Sequence, residues 1–482
     1  MYKLPIIKVV ETDAHILNMR TRFPFRYGIA SLTSLPHLFL RAKVSIDGMG
    51  VVDGLTSEGL PPKWFTKDPN TTFEEDIPAF FDSINFACES AKAAPQGTWF
   101  QMWKEVHARQ NAKNWPKAVP PLLANLGVAL IERATIDALS RGLGMRLHQI
   151  LTRNYLGMDL SNVREGLAEI PLAEPILGTK PLESVHVRHT VGLGDPLTSA
   201  DIEGGKGLED GLPYTLEENI NEYGLGYFKI KLSGDNGQDM DRIGAVADIL
   251  GSCDVERPRF TLDGNEQYRD LATFREFYGS CLEVGSVREF FQKGLLFIEQ
   301  PLHRDVAFAI DLNSWKDAPP IVLDESDADL DSLPTALELG YQGCSFKNCK
   351  GIVKGLANAA LLAQYRSKDN HKQYIQSAED LANVGPIALN QDLALVASLG
   401  ITHVERNGHH YFRGLSMFPE DMWDEIAEPG LYKFHDQGFP TLDIQSGCLD
   451  LRHIIRTSYG TSNLMEIERF TPLADWSPSS LA

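Results

Sequence analysis

Six residues in this chain have the types and spacing to move a proton next to a carboxylate. Lys229 and Lys231 stand one residue apart, so on an extended strand both side chains leave the same face. Asp263, Glu299 and Asp324 follow, each at the end of a short apolar run, and Lys347 closes the series after Ser345-Phe346. Ends of neighbouring parallel strands lie about 4.8 Å apart, close enough for three carboxylates to converge on one cation. Oxygen ligands suit a hard ion. Mg²⁺ is the natural guest, with Mn²⁺ as the second choice, because it leaves positions free for substrate oxygens. Removing a proton α to a carboxylate builds enediolate charge, and a cation on the carboxylate oxygens stabilises that charge as it develops. A lysine accepts the proton only if its pKa falls, which a neighbouring cation achieves; Lys229 beside Lys231 is expected to supply that field. One acid at a strand end is more often a helix cap or a surface charge. The order Lys, Asp, Glu, Asp, Lys over five successive strand ends is what points to a site.

Those ends need a scaffold that brings them to one place. From residue 185 onward, short apolar runs alternate with amphipathic stretches such as the one carrying Ile352, Leu356 and Ala359 on one face. The predicted strands are Val185–Val191, Tyr227–Leu232, Arg259–Asp263, Leu295–Glu299, Ile321–Asp324, Cys344–Lys347, Tyr374–Ser377 and Thr402–Glu405. Strand then helix, repeated, means parallel strands with right-handed crossovers, and eight of them closing on themselves make a barrel. Its active site sits at the C-terminal ends of the strands, where the lysines and acids stand. The first 150 residues read differently, as mixed α and β. A strand over Leu38–Ile46 runs into the turn Asp47-Gly48, one helical region spans Phe73 to Val106, and another spans Leu126 to Gly142. Trp99 and Trp103, four apart, are read as core. Residues 155–184 have little periodicity and residues 194–213 are rich in glycine and acids, so a surface loop or flap is expected there.

Bulk composition fits an ordinary globular enzyme. The chain has 482 residues, 43% hydrophobic and 23% charged, with a formal net charge of −20. That charge argues against a nucleic-acid partner, whose footprint is a basic patch. The six cysteines form no Cys-x-x-Cys pair, which favours reduced thiols in a cytoplasmic protein over a disulfide scaffold or a zinc site. No run of about 18 apolar residues exists, so no membrane partner is expected.

Taken together, the motifs resemble the enolase superfamily, in its muconate-lactonizing-enzyme-like branch (the mandelate racemase/muconate lactonizing enzyme family). The resemblance rests on Lys-x-Lys at 229–231, Asp-x-Asn at 263–265, Ile-Glu-Gln-Pro at 298–301, Asp-Glu-Ser at 324–326 and Phe-Lys with a following Lys-Gly at 346–351. It extends to Phe25-Arg26-Tyr27-Gly28, to the Gly48–Gly54 turn and to the helix around Ile131–Ala138. It implies a modified (β/α)7β TIM-type barrel over 185–430 with an N-terminal α+β capping domain over 1–150, completed by a tail from about 430 to 482. An extended link or lid insertion would occupy 151–215. It further implies that Asp263, Glu299 and Asp324 ligate Mg²⁺, with Glu325 as the alternative third ligand. Lys231 and Lys347 would be the acid/base pair on opposite faces of a small carboxylate substrate, Lys229 would tune Lys231, and Asn265 and Glu325 would stand behind the ligands. A homo-oligomer is expected.

The reaction class remains open at this level. Two opposed lysines permit racemisation, epimerisation or cycloisomerisation. A sugar-acid dehydratase or other β-eliminating lyase shares the metal site, and a non-catalytic binding protein is a third reading. The seventh strand, Tyr374 to Glu379, carries no histidine, and the eighth reads Glu405-Arg406-Asn407 where dipeptide epimerases carry Asp-x-Asp. Specificity is therefore expected from Phe25, Tyr27, Ser377, Glu379, Glu405 and Asn407, with His403, His409 and His410 either at the mouth or facing solvent.

Overall fold

The computed structural model describes residues 3–167, 171–173 and 176–481; residues 168–170 and 174–175 of the expected link lie outside the described residues. The first three strands, β1 (Ile7–Tyr27), β2 (Ala30–Ile46) and β3 (Gly50–Gly59), form an antiparallel meander. β2 starts well before the expected Leu38, because its partner β1 keeps pairing back to Tyr27↔Ala30. The ladder slips between Arg20 and Phe25 and resumes at Phe25↔Leu32. Gly28, at φ +48°, turns the hairpin tip beyond it.

Helices Phe73–Ala93, Trp99–Ala112 and Leu126–Leu143 accompany this sheet. The single helical region expected from Phe73 to Val106 is two helices. Pro95 and Gly97 break it, and Thr98 with Gln101 opens the second with a reciprocal cap, as Thr72 with Glu75 opens the first. Trp99 and Trp103 are buried, and their indole N–H groups donate to Thr135 and Glu132 of the third helix. That helix lies so close to β3 that a Cβ on Gly54 would meet the Ala134 carbonyl at 2.0 Å. Only glycine allows this approach.

Eight parallel strands follow: β4 (Ser184–Val191), β5 (Tyr227–Lys231), β6 (Arg259–Asp263), β7 (Leu295–Glu299), β8 (Ile321–Val322), β9 (Gly343–Phe346), β10 (Ile375–Ala378) and β11 (His403–Arg406). They coincide with the expected eight to within one or two residues at most ends. One ladder runs β11-β4-β5-β6-β7-β8, a second joins β9 to β10, and a bridge between Leu323 and Cys344 links the two. Each strand but the last is followed by a crossover with helix, from Leu216–Tyr223 after β4 to Ala388–Leu399 before β11. After β11 comes only the turn Gly408–Tyr411, so the architecture is a (β/α)7β barrel under an α+β cap. The tail touches both parts: Cys448–Asp450 pairs with β4 and Thr471–Pro472 with β1.

Register sets the site. Lys231 pairs with Asp263, and Asp263 pairs with Glu299, so three functional side chains stand level on consecutive strands. Alternation along β5 turns Phe228 and Ile230 to one face, leaving both lysines on the opposite, inner one. β8 stops at Val322, earlier than expected, and Asp324 sits in the turn beyond it. The side chain of Gln300 replaces the missing ladder there: its carbonyl oxygen accepts from the backbone N–H groups of Asp324 and Ser326.

Candidate active site

The charged residues converge at the C-terminal mouth of the barrel, all of them buried. Lys231 Nζ lies 2.5 Å from Asp263, and Lys347 Nζ lies 2.6 Å from Asp324. Lys229 is set deeper. Its ammonium is within 3.0 Å of four carboxylates: Asp263, Glu299, Glu379 and Glu405. Burial pulls the Lys229 pKa down, but those four carboxylates outweigh it and hold the pKa well above the ordinary lysine value. Lys347 is likewise raised, burial being outweighed by Asp324. The protein by itself therefore keeps these ammoniums charged, opposite to the depressed values a base requires. Asp324 is held well below the usual carboxylate range, against its burial, by Lys347 and Lys350.

The donor set fits a hard cation. Glu299 is the clearest sign: neither buried carboxylate oxygen accepts a hydrogen bond, its cationic neighbour Lys229 at 2.8 Å is shared with three other carboxylates, and burial with Asp263 and Glu379 nearby pushes its pKa well up. Such a group calls for positive charge. Among the described residues no three acids, histidines or cysteines stand in metal-ligand geometry, and lysine ammoniums lie against the carboxylates. Glu325, the alternative ligand, faces Asn265, whose amide donates to it at 3.1 Å. Burial and neighbouring Asp324 push the Glu325 pKa up to about 7. Asn265, Glu266 and Gln300 all hold positive φ in the turns after β6 and β7. Non-glycine residues adopt this conformation when the surroundings over-determine it, as at functional sites.

The cap roofs the mouth. Phe25, Tyr27, Pro61 and Trp64 close a narrow pocket over Lys231 and Lys347, with a cavity volume of about 20 Å³. Each lysine has a ring above it: Trp64 lies 4.4 Å from Lys347 Nζ, and Tyr27 lies 5.9 Å from Lys231 Nζ. The roof is anchored from both sides. Arg304 donates to the Trp64 and Phe65 carbonyls while paired with Glu266. Arg22 makes a bidentate pair with Asp210 and also grips the carbonyls of Leu212, Pro213 and His410. Part of the 151–215 segment thus clamps the β1 strand that carries Phe25 and Tyr27.

Of the specificity candidates, Phe25, Tyr27, Glu405 and Asn407 line this pocket, whereas Ser377 and Glu379 do not. Those two belong to a buried layer beneath it, where Glu379 pairs with Arg188 at 2.5 Å and with Lys229 at 3.0 Å, and Ser377 donates to Glu379. His409 and His410 neither face solvent nor line the pocket. They pack with His189 behind β4 and β11, where His189 Nδ1 and His409 Nε2 are 3.0 Å apart. Three functional residues escaped the sequence reading. Arg188 had a visible signal, a long cation inside an otherwise core-facing strand. Lys350 belonged to the quoted Lys-Gly motif but carried no role; it holds Asp324 Oδ1 at 2.9 Å. Trp64 had no local signal at all.

A capped barrel with lysines and acids at its mouth is the class that fold and site define. A scan against protein-family models and a search of curated proteins both find no match. Solved structures do match in fold. An N-succinyl Arg/Lys racemase from Bacillus cereus ATCC 14579 superposes with a TM-score of 0.61 at 17% identity, covering 96% of this chain and 98% of its own. A mandelate racemase/muconate lactonizing protein from Herpetosiphon aurantiacus gives 0.60 at 16%, covering 95% and 99%. A dipeptide epimerase from Enterococcus faecalis V583, complexed with Mg and L-Leu-L-Tyr, gives 0.55 at 15%, covering 83% and 90%.

Proposed function

We propose that this chain is an enzyme of the enolase superfamily that removes the proton α to a substrate carboxylate through an enediolate, giving racemisation, epimerisation or cycloisomerisation. The observation that carries this reading is the placement of Lys231 and Lys347. Both line one small closed pocket, and each is paired with a different carboxylate of the barrel mouth. Asp263, Glu299 and Asp324 would hold Mg²⁺, or Mn²⁺ in its stead. When bound, the ion would supply positive charge for the enediolate and offset the carboxylate field that holds the Lys347 pKa up.

The chain's own groups do the rest. The Lys231 and Lys347 amines hold or take the proton at Nζ. Phe25, Tyr27, Pro61 and Trp64 exclude water, which strengthens every charge interaction inside. Lys229 stays charged under its four carboxylates and keeps them from repelling one another. β-Elimination is the second reading on the same residues; a sugar-acid dehydratase with a histidine acid would need a histidine here, and none lines the pocket among the described residues. The test is hydrogen exchange at Cα of small carboxylates in D₂O with Mg²⁺ or Mn²⁺. Wild type should exchange. A Lys347→Ala variant that exchanged as fast on the same substrate would end the two-lysine assignment.

A further inference from the structure

The pocket over Lys231 and Lys347 holds polar atoms that nothing in the protein satisfies. Trp64 is 4% exposed and its indole N–H has no partner; Asn407 is 1% exposed and Asn265 2%, and neither side-chain oxygen has one. Asn265 still donates to Glu325 through its amide nitrogen. A buried polar group without a partner is destabilising, so three in one pocket point to a ligand that completes them. Trp64 can only donate, whereas an asparagine oxygen can only accept. What completes the set must therefore accept at one point and donate at another.

The charged groups of the same pocket narrow this further. Two acids line it, Glu405 and Asp380. Glu405 already receives Lys229 at 3.0 Å, the Thr190 hydroxyl at 2.7 Å and the Asp380 N–H at 3.0 Å. Asp380 receives the N–H groups of Asn383 and Asn407 and faces Arg406 at 3.8 Å. Both are already engaged by protein groups, and Lys231 and Lys347, lining the same pocket, would repel a substrate cation. An unpaired buried charge is far more costly than an unpaired neutral group.

We propose that the substrate carries, beside its carboxylate, an uncharged hydrogen-bonding group, a hydroxyl or an amide, contacted by Trp64 and Asn407, and that a free ammonium is rejected. This rests on the carboxylate reading of the site given above. The small volume and the apolar surface of Phe25, Tyr27, Pro61, Leu381 and Ala382 add that the rest of the substrate is compact and apolar.

Calorimetric titration of the Mg²⁺-loaded protein with four matched acids tests it: propionate, lactate, N-acetylalanine and alanine. Lactate or N-acetylalanine should bind at least about tenfold more tightly than propionate, and alanine more weakly than propionate. Trp64→Phe keeps a ring over Lys347 and removes only the N–H. It and Asn407→Leu should each weaken the preferred acid about tenfold while leaving propionate within about twofold. Preference for lactate over N-acetylalanine would assign the hydroxyl, the reverse the amide. Alanine binding as tightly as either, or both variants leaving the preference intact, would overturn the inference while the carboxylate reading survived. Failure of all four acids to bind wild type would overturn that reading and this inference together.

Discussion

The two halves of the barrel mouth carry the same kinds of side chain and use them differently. On β5 to β9 stand Lys231, Asp263, Glu299, Asp324 and Lys347; the two lysines reach the pocket, and Glu299 is left without a hydrogen bond. On β10, β11 and β4 stand Glu379, Glu405 and Arg188, and each is committed to protein partners. Lys229 is the hinge between the halves, hydrogen-bonded to Glu379 and Glu405 on one side and within 3.0 Å of Asp263 and Glu299 on the other. Charge and strand position alone do not separate a reactive group from a structural one. Access to the pocket does: Lys231 and Lys347 line it, whereas Lys229 and Glu379 do not.

Removing the hinge should have the largest effect. Lys229→Met leaves four buried carboxylates around an apolar end, and breaking a buried ion network in this way costs about 3–5 kcal/mol. Denaturant unfolding should show it, with partial recovery on adding Mg²⁺. If Lys229→Met unfolded like wild type, the hinge would be no more than another pocket lysine. Next come the two pocket lysines. Lys231→Ala and Lys347→Ala should each lower Cα exchange about 10³-fold with folding largely kept, the signature of acid/base groups.

The roof gives a smaller effect. Arg22 is nearly buried against Asp210, so Asp210→Ala should remove about 2 kcal/mol of hydrogen bonding to a charged group and raise KM before it lowers kcat. Limited proteolysis in 192–214 should speed up in parallel; unchanged cleavage and KM would mean the clamp does not position the roof. The last concerns acid, on the structural half alone. Burial, and then the nearby His410 and His409, hold the His189 pKa well below 6.5. Below pH 6.5 the unfolded chain binds a proton that the fold refuses, so stability falls with pH by up to about 1.4 kcal/mol per unit for this group. The stability gap between wild type and His189→Asn should therefore move in favour of the variant on going from pH 6.5 to 4.5. A pH-independent gap would show that His189 is protonated in the fold.

Much of this protein was legible without coordinates. Eight strands and their crossovers show in the chain because a barrel strand is a short apolar run and its crossover helix an amphipathic one. The Lys-x-Lys pair and the three acids show because strand period is two and all parallel ends meet at one mouth. The structure corrected details of local origin: Pro95 and Gly97 cut one expected helix in two, and β8 ended early because Gln300 takes over the pairing of the Asp324 turn.

What the chain could not disclose is which charges are already answered. Glu379 lies 150 positions from Lys229, and Glu405 lies 176 away, and no local pattern encodes those contacts. Nor does anything near Trp64 indicate that the Pro61-Pro62 turn will set its ring over Lys347, about 280 residues further on. Period and composition act over a few residues and determine which elements form and which way their side chains face. Availability of a buried charge depends on everything packed around it, and only the tertiary fold decides that.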